Sequence, residues 1–373
     1  MYLLTKLITK FTYWIIKTLR LGAGYTWPGH LALKLNKDIL RNTKLHPSKG
    51  FIFIAGTNGK TTTSKLISHI LRKKGLRVVT NRSGANLLNG IVSSLLLEGS
   101  HSDIGVFEVD EFALPNLLEQ VTPKVLLLLN LSRDQLDRYG EIDIIFDSWK
   151  ETISKLDGST HIIFDATQEI FKGITNYEGK LTEFSITRSL IEDLDLFGEH
   201  NSKNVKAALS VVKDFGVNEK EALETLKDFK PAYGRGETIE YKNTSFQIFL
   251  AKNPASFNNN LGLLLSKEVD IKAILFILND NIPDGRYVSW IYDIDPNSLK
   301  EACRGREVFV SGKRYLDMAV RLMYAEIQVG KGQVFENLGE AVESLTEKKE
   351  ILVFPNYSAM LEIRKILTGK KIL

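Results

Sequence analysis

The stretch Gly56-Thr57-Asn58-Gly59-Lys60-Thr61-Thr62-Thr63 constrains this 373-residue chain more than any other. It follows a short apolar run, Phe51–Ala55, and opens a stretch of helical periodicity over residues 61–74 that stops at Gly75. A short apolar run before a turn reads as a buried strand, and a glycine closing a periodic stretch reads as a helix C-cap. Strand, glycine-containing turn and helix in that order predict a phosphate-binding loop. Glycine lets the backbone approach an anion, the N–H groups of the turn point inward, and the helix dipole favours negative charge. Lys60 would then reach the terminal phosphates of a nucleotide, and the Thr61 hydroxyl would hold Mg²⁺. The strict Walker spacing is not met, because Ile54 stands where its first glycine would fall.

Further strands are expected at residues 76–80, 104–109 and 124–130. Strands alternating with helices predict an α/β fold with a mostly parallel sheet covered on both faces. Glu108, near the end of the third strand, is followed by Asp110 and Glu111, and acidic groups at a strand's carboxyl end face the ligand crevice of such a sheet. A polar cluster from Asn130 to Gly140 follows the fourth strand and would border the same crevice. A second alternation follows residue 233, with strands expected at 246–250, 273–278, 307–311 and 351–354 and helices near 256–266, 313–325 and 357–368. The joint is read at residues 231–237, which are rich in turn formers. The expected organisation is a leader over 1–48, a nucleotide-binding domain over 49–230 and a second, Rossmann-like α/β domain over 231–373.

With 43% hydrophobic and 25% charged residues the chain is an ordinary globular enzyme rather than a disordered one. A net charge of +4 does not call for nucleic acid, though it suits anionic ligands. A single cysteine, Cys303, leaves no disulfide framework and no cysteine-rich zinc site, which fits a reducing cytoplasm. The six histidines have no paired metal spacing, and Cys303 is read as structural. Residues 2–22 are apolar but interrupted by Lys6, Lys10, Lys17 and Arg20, which argues against a spanning helix or a signal peptide. On a 3.6-residue period the four basic residues share one face, with Leu3, Leu4, Leu7, Phe11, Trp14, Ile15 and Leu19 filling much of the rest. Two readings stay open: a helix packed on its own protein, or contact with an anionic membrane at the inner face.

Together these segments resemble the Mur ligase superfamily. Gly56–Thr62 matches its phosphate-loop form GTNGKTT. Asp134–Gly140 is similar to its DHLDxHG motif, and Gly198–Asn204 to its GxHNxxN element. The resemblance implies nucleotide contact by Gly56, Thr57, Asn58, Gly59, Lys60, Thr61 and Thr62, adenine contact by Asn201, and Mg²⁺ binding by Thr61 and Glu108. Within the superfamily the MurT branch is nearer. Gly24-Tyr25-Thr26-Trp27-Pro28-Gly29-His30 and Arg133–Glu141 are similar to its leader and its RDQLDRYGE motif. Gly234–Glu237, Ala251–Ala255, Pro283–Arg286, Ser289–Asp295 and Tyr357–Leu361 continue the likeness, which runs from about residue 22 to 368. Two departures stand out. The four-cysteine zinc ribbon common in that branch is missing, so no zinc is expected, and Gln135 replaces a histidine that serves other Mur ligases as a second metal ligand. Lys150 lies near a lysine that is carbamylated in other Mur ligases, and a surface lysine is the reading preferred here.

The branch implies ATP-dependent amidation of the D-glutamate α-carboxyl of the lipid II stem peptide, through an acyl phosphate, with ammonia from a GatD-type glutaminase. Lys60, Mg²⁺ and Arg235 would neutralise charge. An aspartate of the second domain would complete the glutaminase triad; Asp293 is the first choice, with Asp295 and Asp284 behind it. The competing readings are an amino-acid-adding ligase of folylpolyglutamate or cyanophycin type, and a P-loop regulatory ATPase without ligation.

Overall fold

The computed structural model describes residues 2–19, 25–81, 85–132, 142–174, 176–185, 199–229, 234–266, 271–285 and 287–370. Two helices come first, α1 (Tyr2–Thr18) and α2 (Trp27–Leu35). β1 (Phe51–Ala55) leads through the glycine loop into α3 (Lys60–Lys73). There follow β2 (Val78–Thr80), α4 (Leu88–Glu98), β3 (Ile104–Val109), α5 (Ala113–Leu118), β4 (Val125–Leu128), α6 (Ile142–Ile153), β5 (His161–Asp165), β6 (Leu181–Phe184), α7 (Glu199–Val212) and α8 (Glu219–Leu226). The six strands make one parallel sheet in the order β2-β3-β1-β4-β5-β6.

β1, β3 and β4 are buried along their whole length, as strands covered on both faces must be. Alternate residues serve opposite faces. Phe51, Phe53, Phe107 and Leu126 join one core with α4 and α6. Ile52, Ile54, Val106 and Leu127 join the other with Leu66 and Ile70 of α3 and Val205 of α7. The strand order reverses at β1, which has β3 on one side and β4 on the other, so the ligand crevice of this sheet opens at their carboxyl ends. β5 and β6 were not expected from the sequence.

The second sheet is built from β7 (Arg235–Tyr241), β8 (Thr244–Phe249), α9 (Pro254–Ser266), β9 (Ala273–Ile277), α10 (Pro296–Cys303), β10 (Glu307–Ser311), α11 (Tyr315–Tyr324), α12 (Leu338–Leu345), β11 (Glu350–Pro355) and α13 (Tyr357–Thr368). Its order is β10-β9-β11-β8-β7, parallel except for β7 against β8. The last three residues of the segment read as a joint, 235–237, already belong to β7. The β7–β8 register shifts at Gly236, a bulge that lets a glycine stand in a strand. Lys242 and Asn243 both have positive φ, which makes the tight hairpin turn. Cys303 is buried in the core of this half, and burial pushes its thiol up to about 12, so it stays protonated and unreactive at neutral pH.

Candidate nucleotide and metal site

The glycine loop turns because its backbone must. Gly56 has φ +136°, and a Cβ there would meet the Asn130 carbonyl at 2.8 Å. Gly59 has φ +88°, and a Cβ there would lie 2.4 Å from the Asn204 side-chain oxygen. Asn130, just past β4, clamps the loop. Its carbonyl accepts from Thr57 N at 2.8 Å, its Oδ1 accepts from Asn58 N at 2.9 Å, and its Nδ2 donates to Asn58 O at 2.9 Å. Thr57 Oγ1 donates to Ser132 O at 3.1 Å. Gly59 caps α3 without a side-chain acceptor, which leaves the first-turn amides of the helix to an anion.

Lys60 is buried and folds back over the loop to donate to Gly56 O, while its Nζ lies 2.9 Å from Glu111 Oε1. Burial alone would pull its ammonium down. The Glu111 carboxylate, with Glu108 and Asp110 behind it, outweighs that and holds the group above its ordinary value. The Thr61 hydroxyl donates to Glu108 Oε2 at 2.7 Å, so the two expected metal ligands touch. Asn81 fixes Glu108 by bonding both its N–H, at 3.1 Å, and its carbonyl, at 2.7 Å. Trp149 of α6 donates to Glu111 O at 2.7 Å and steadies the acidic turn. Among the described residues no three His, Cys, Asp or Glu side chains converge as a metal cage. A hydroxyl beside one carboxylate nevertheless fits Mg²⁺, which usually takes one or two protein ligands and fills its shell with water and phosphate oxygens.

A cavity of about 270 Å³ begins at Asn58 and Gly59 and runs between the two sheets. Leu129, Leu131 and Phe184 line it from the first sheet's side, and Phe249 and Leu250 from the second's. Asn201, Asp165 and Gln168 offer polar groups to the same space, an apolar pocket with a few polar groups such as a nucleoside needs. Asn201 accepts from Asn204 Nδ2 at 3.4 Å, and Asn204 Oδ1 in turn accepts from Thr63 Oγ1 at 3.3 Å, so the residue that the family resemblance assigns to adenine is tied to the first turn of α3. Arg235 lies between the cavity-lining Gly234 and Gly236, but its side chain is outside the described residues. The 133–141 motif with Gln135 also lies outside them. Lys150 is exposed on α6.

The second half reaches the loop directly, since Asn253 Nδ2 donates to Asn58 Oδ1 at 3.3 Å. At the start of α13, burial pushes the Tyr357 phenol up, and the carboxylates of Glu108 and Asp284 add to the shift. Asp284 itself is pushed up by burial, against hydrogen bonds from Ser358 N, at 2.9 Å, and from the Ser358 hydroxyl. The three candidate aspartates thus have different lives. Asp284 holds α13, Asp295 caps α10 by accepting from Ser298 N at 2.7 Å, and Asp293 is exposed. Sequence reasoning missed Asn130, Asn204 and Asn253, which brace the loop, and Asn81, which fixes Glu108. Asn130, Asn204 and Asn253 stand inside family-like segments, but nothing in their spacing announces a contact with the loop.

A family model described as the Mur ligase middle domain matches residues 54–188, and one described as the MurT ligase C-terminal domain matches residues 250–360. The MurT subunit of lipid II isoglutaminyl synthase (glutamine-hydrolyzing) from Staphylococcus aureus is 28% identical over 401 residues, covering 90% of this chain and 91% of that protein. The subunit of the same name from Streptococcus pneumoniae is 25% identical over 425 residues, covering 95% and 94%. Among solved structures, MurF from Acinetobacter baumannii superposes with a TM-score of 0.69 at 18% identity, covering 91% of this chain and 80% of that one, which shows the shared fold. With both ligase-domain models matched in order along one chain and similarity to MurT subunits through nine-tenths of its length, the chain is an amide-forming ligase with the Mur ligase fold, similar to the MurT type in both halves.

Proposed function

We propose that the chain is the synthetase subunit of a two-subunit enzyme that amidates the D-glutamate α-carboxyl of the lipid II stem peptide to D-isoglutamine. The observation that carries this is the likeness to two MurT subunits across both sheets rather than across the nucleotide-binding half alone. In the proposed reaction the substrate carboxylate attacks the γ-phosphorus of ATP, ADP leaves, and an acyl phosphate forms. Ammonia then attacks the acyl carbon, phosphate leaves, and a proton is lost from nitrogen. Lys60 and the amides at the start of α3 would hold the β- and γ-phosphates, and Asn201 would orient the adenine. Thr61 and Glu108 would hold Mg²⁺, which when bound neutralises phosphate charge. The apolar walls of the cavity would keep water from the acyl phosphate.

Glutamine-derived ammonia implies a glutaminase subunit. Its docking face is proposed around Asp293. Leu316, Val320, Met323 and Tyr324 form an exposed stripe on α11, and Tyr292 meets Tyr324 with ring centroids 6.1 Å apart. Exposed aromatic and apolar residues around an exposed acid suit a partner interface. Asp293 would then orient and steady the histidine of the partner's catalytic group. A lipid-linked substrate places the enzyme at the inner membrane face.

The test is incubation with ATP, Mg²⁺, ammonium and lipid II, read by mass spectrometry of the stem peptide. One carboxylate should become an amide, and Thr61→Val should lower the rate by roughly 10²–10³-fold, as loss of a preorganised charge-stabilising group does. Asp293→Asn should spare ammonium-driven amidation and cut glutamine-driven amidation by the reconstituted pair. ADP release that ignores lipid II, with no amide formed, would sink the assignment.

A further inference from the structure

A surface helix normally turns its apolar stripe toward its own protein. α1 does the reverse. Leu3, Leu4, Leu7, Phe11 and Trp14 recur every three or four residues, and each is between 57% and 71% exposed. The Phe11 and Trp14 rings stack at 6.1 Å on this open face. The face that meets α2 and α4 buries no large apolar side chain fully, and its isoleucines, Ile8 and Ile16, are half-buried. Thr5 and Thr9 are buried there, with Thr9 Oγ1 donating to Thr5 O at 2.7 Å. Tyr13 OH lies 3.3 Å from Tyr25 OH, which in turn donates to Glu98 Oε1 at 3.4 Å.

The charges flank the open stripe. Lys6, Lys10 and Lys17 fall together between the packed face and the apolar one, and α1 contains no acidic residue. Lys6 is tethered to Ser100 Oγ at 2.7 Å, while Lys10 and Lys17 are exposed. Arg20, the fourth basic residue of this row in the sequence, lies outside the described residues. No helix among the described residues is long and apolar enough to cross a membrane. An exposed stripe of leucine, phenylalanine and tryptophan beside lysines only is the composition of a helix lying in the plane of an anionic bilayer, apolar face down. A protein partner would need no such one-signed border.

We propose that α1 is a membrane-surface anchor that seats its Leu3–Trp14 stripe in a bilayer of anionic lipid, with Lys10 and Lys17 against the headgroups. The inference stands apart from the proposed reaction, because its test contains neither nucleotide nor lipid II. The full chain is floated with vesicles of phosphatidylcholine plus phosphatidylglycerol, and with vesicles of phosphatidylcholine alone. It should rise with the anionic vesicles and bind the neutral ones far more weakly. Lys10→Glu with Lys17→Glu should lower partitioning about 25-fold or more, at about fivefold per lysine lost, and Lys10→Arg with Lys17→Arg should keep it. Phe11→Ser with Trp14→Ser should abolish flotation with an unchanged melting temperature, since neither side chain is buried. Failure of the unaltered chain to float with anionic vesicles overturns the proposal, as does normal flotation of the double serine variant. If instead the chain scatters light as a dimer that the serine variant splits, without binding vesicles, the stripe belongs to a second copy and the proposal is wrong.

Discussion

The Lys60 ammonium is buried yet held charged, because the Glu111 carboxylate stands 2.9 Å away and outweighs the burial. Removing one member of a buried ion pair strands the other. Lys60→Ala should therefore cost about 3–5 kcal/mol of stability, and Lys60→Ala with Glu111→Gln should recover part of it, read by urea unfolding at neutral pH. The sign with pH follows from the direction of the shift. Lys60 has a folded value above its ordinary 10.5, so its stabilisation is fully present below that value and fades as pH rises through the folded one. The double variant should lose this alkaline sensitivity. That Lys60, Thr61 and Glu108 come together was legible in the sequence, since a strand–turn–helix context puts Lys60 and Thr61 at the helix start and a parallel sheet turns the carboxyl end of a strand, where Glu108 stands, to the same crevice. Glu111 as the resting partner of Lys60 was not, because pairing across 51 positions is a matter of tertiary fold.

At the scale of elements, the acidic turn after β3 is held from behind by α6. Trp149 is fully buried and its indole N–H donates to Glu111 O. Trp149→Phe keeps most of the packing but leaves that carbonyl without its indole donor, at a cost of about 1–3 kcal/mol. Trp149→Ala also opens a cavity and should cost about 3–5 kcal/mol. Urea midpoints of the two variants check that order. Strands with continuous apolar runs, such as β1, β3 and β4, could be read from residues alone because burial on both faces demands such runs. β5 was missed although buried, because its apolar run is only Ile162-Ile163-Phe164 between His161 and Asp165, and β6 and β7 offer no such run. β6 is Leu-Thr-Glu-Phe at an edge of the first sheet with mostly open side chains, and β7, at an edge of the second, has Arg235, Glu237 and Glu240 among its seven residues and contains Gly236. Edge strands lack the double burial that makes a strand conspicuous. α1 was readable as amphipathic, yet only its packing reveals that the apolar side is the one left open.

For the whole molecule, the deciding feature is that both halves wall one cavity and meet at Asn58 and Asn253. A ligand filling it binds the native state alone, so ADP at a hundredfold excess over its Kd should stabilise the protein by about 2.7 kcal/mol. Asn259→Trp, at an exposed position of the cavity lining, should leave the unliganded melt unchanged and remove most of the ADP shift in calorimetry. Residue order alone determined the two α/β alternations, the phosphate loop and the chemistry that loop can do, because strand–loop–helix geometry is local and its glycines have steric consequences at once. Tertiary structure alone decided which asparagines brace the loop, that the cavity beside the loop lies between two sheets, that Asp293 rather than Asp284 or Asp295 stands open, and which face of α1 meets solvent. These depend on contacts between segments far apart in the chain, and no periodicity within a segment carries that information.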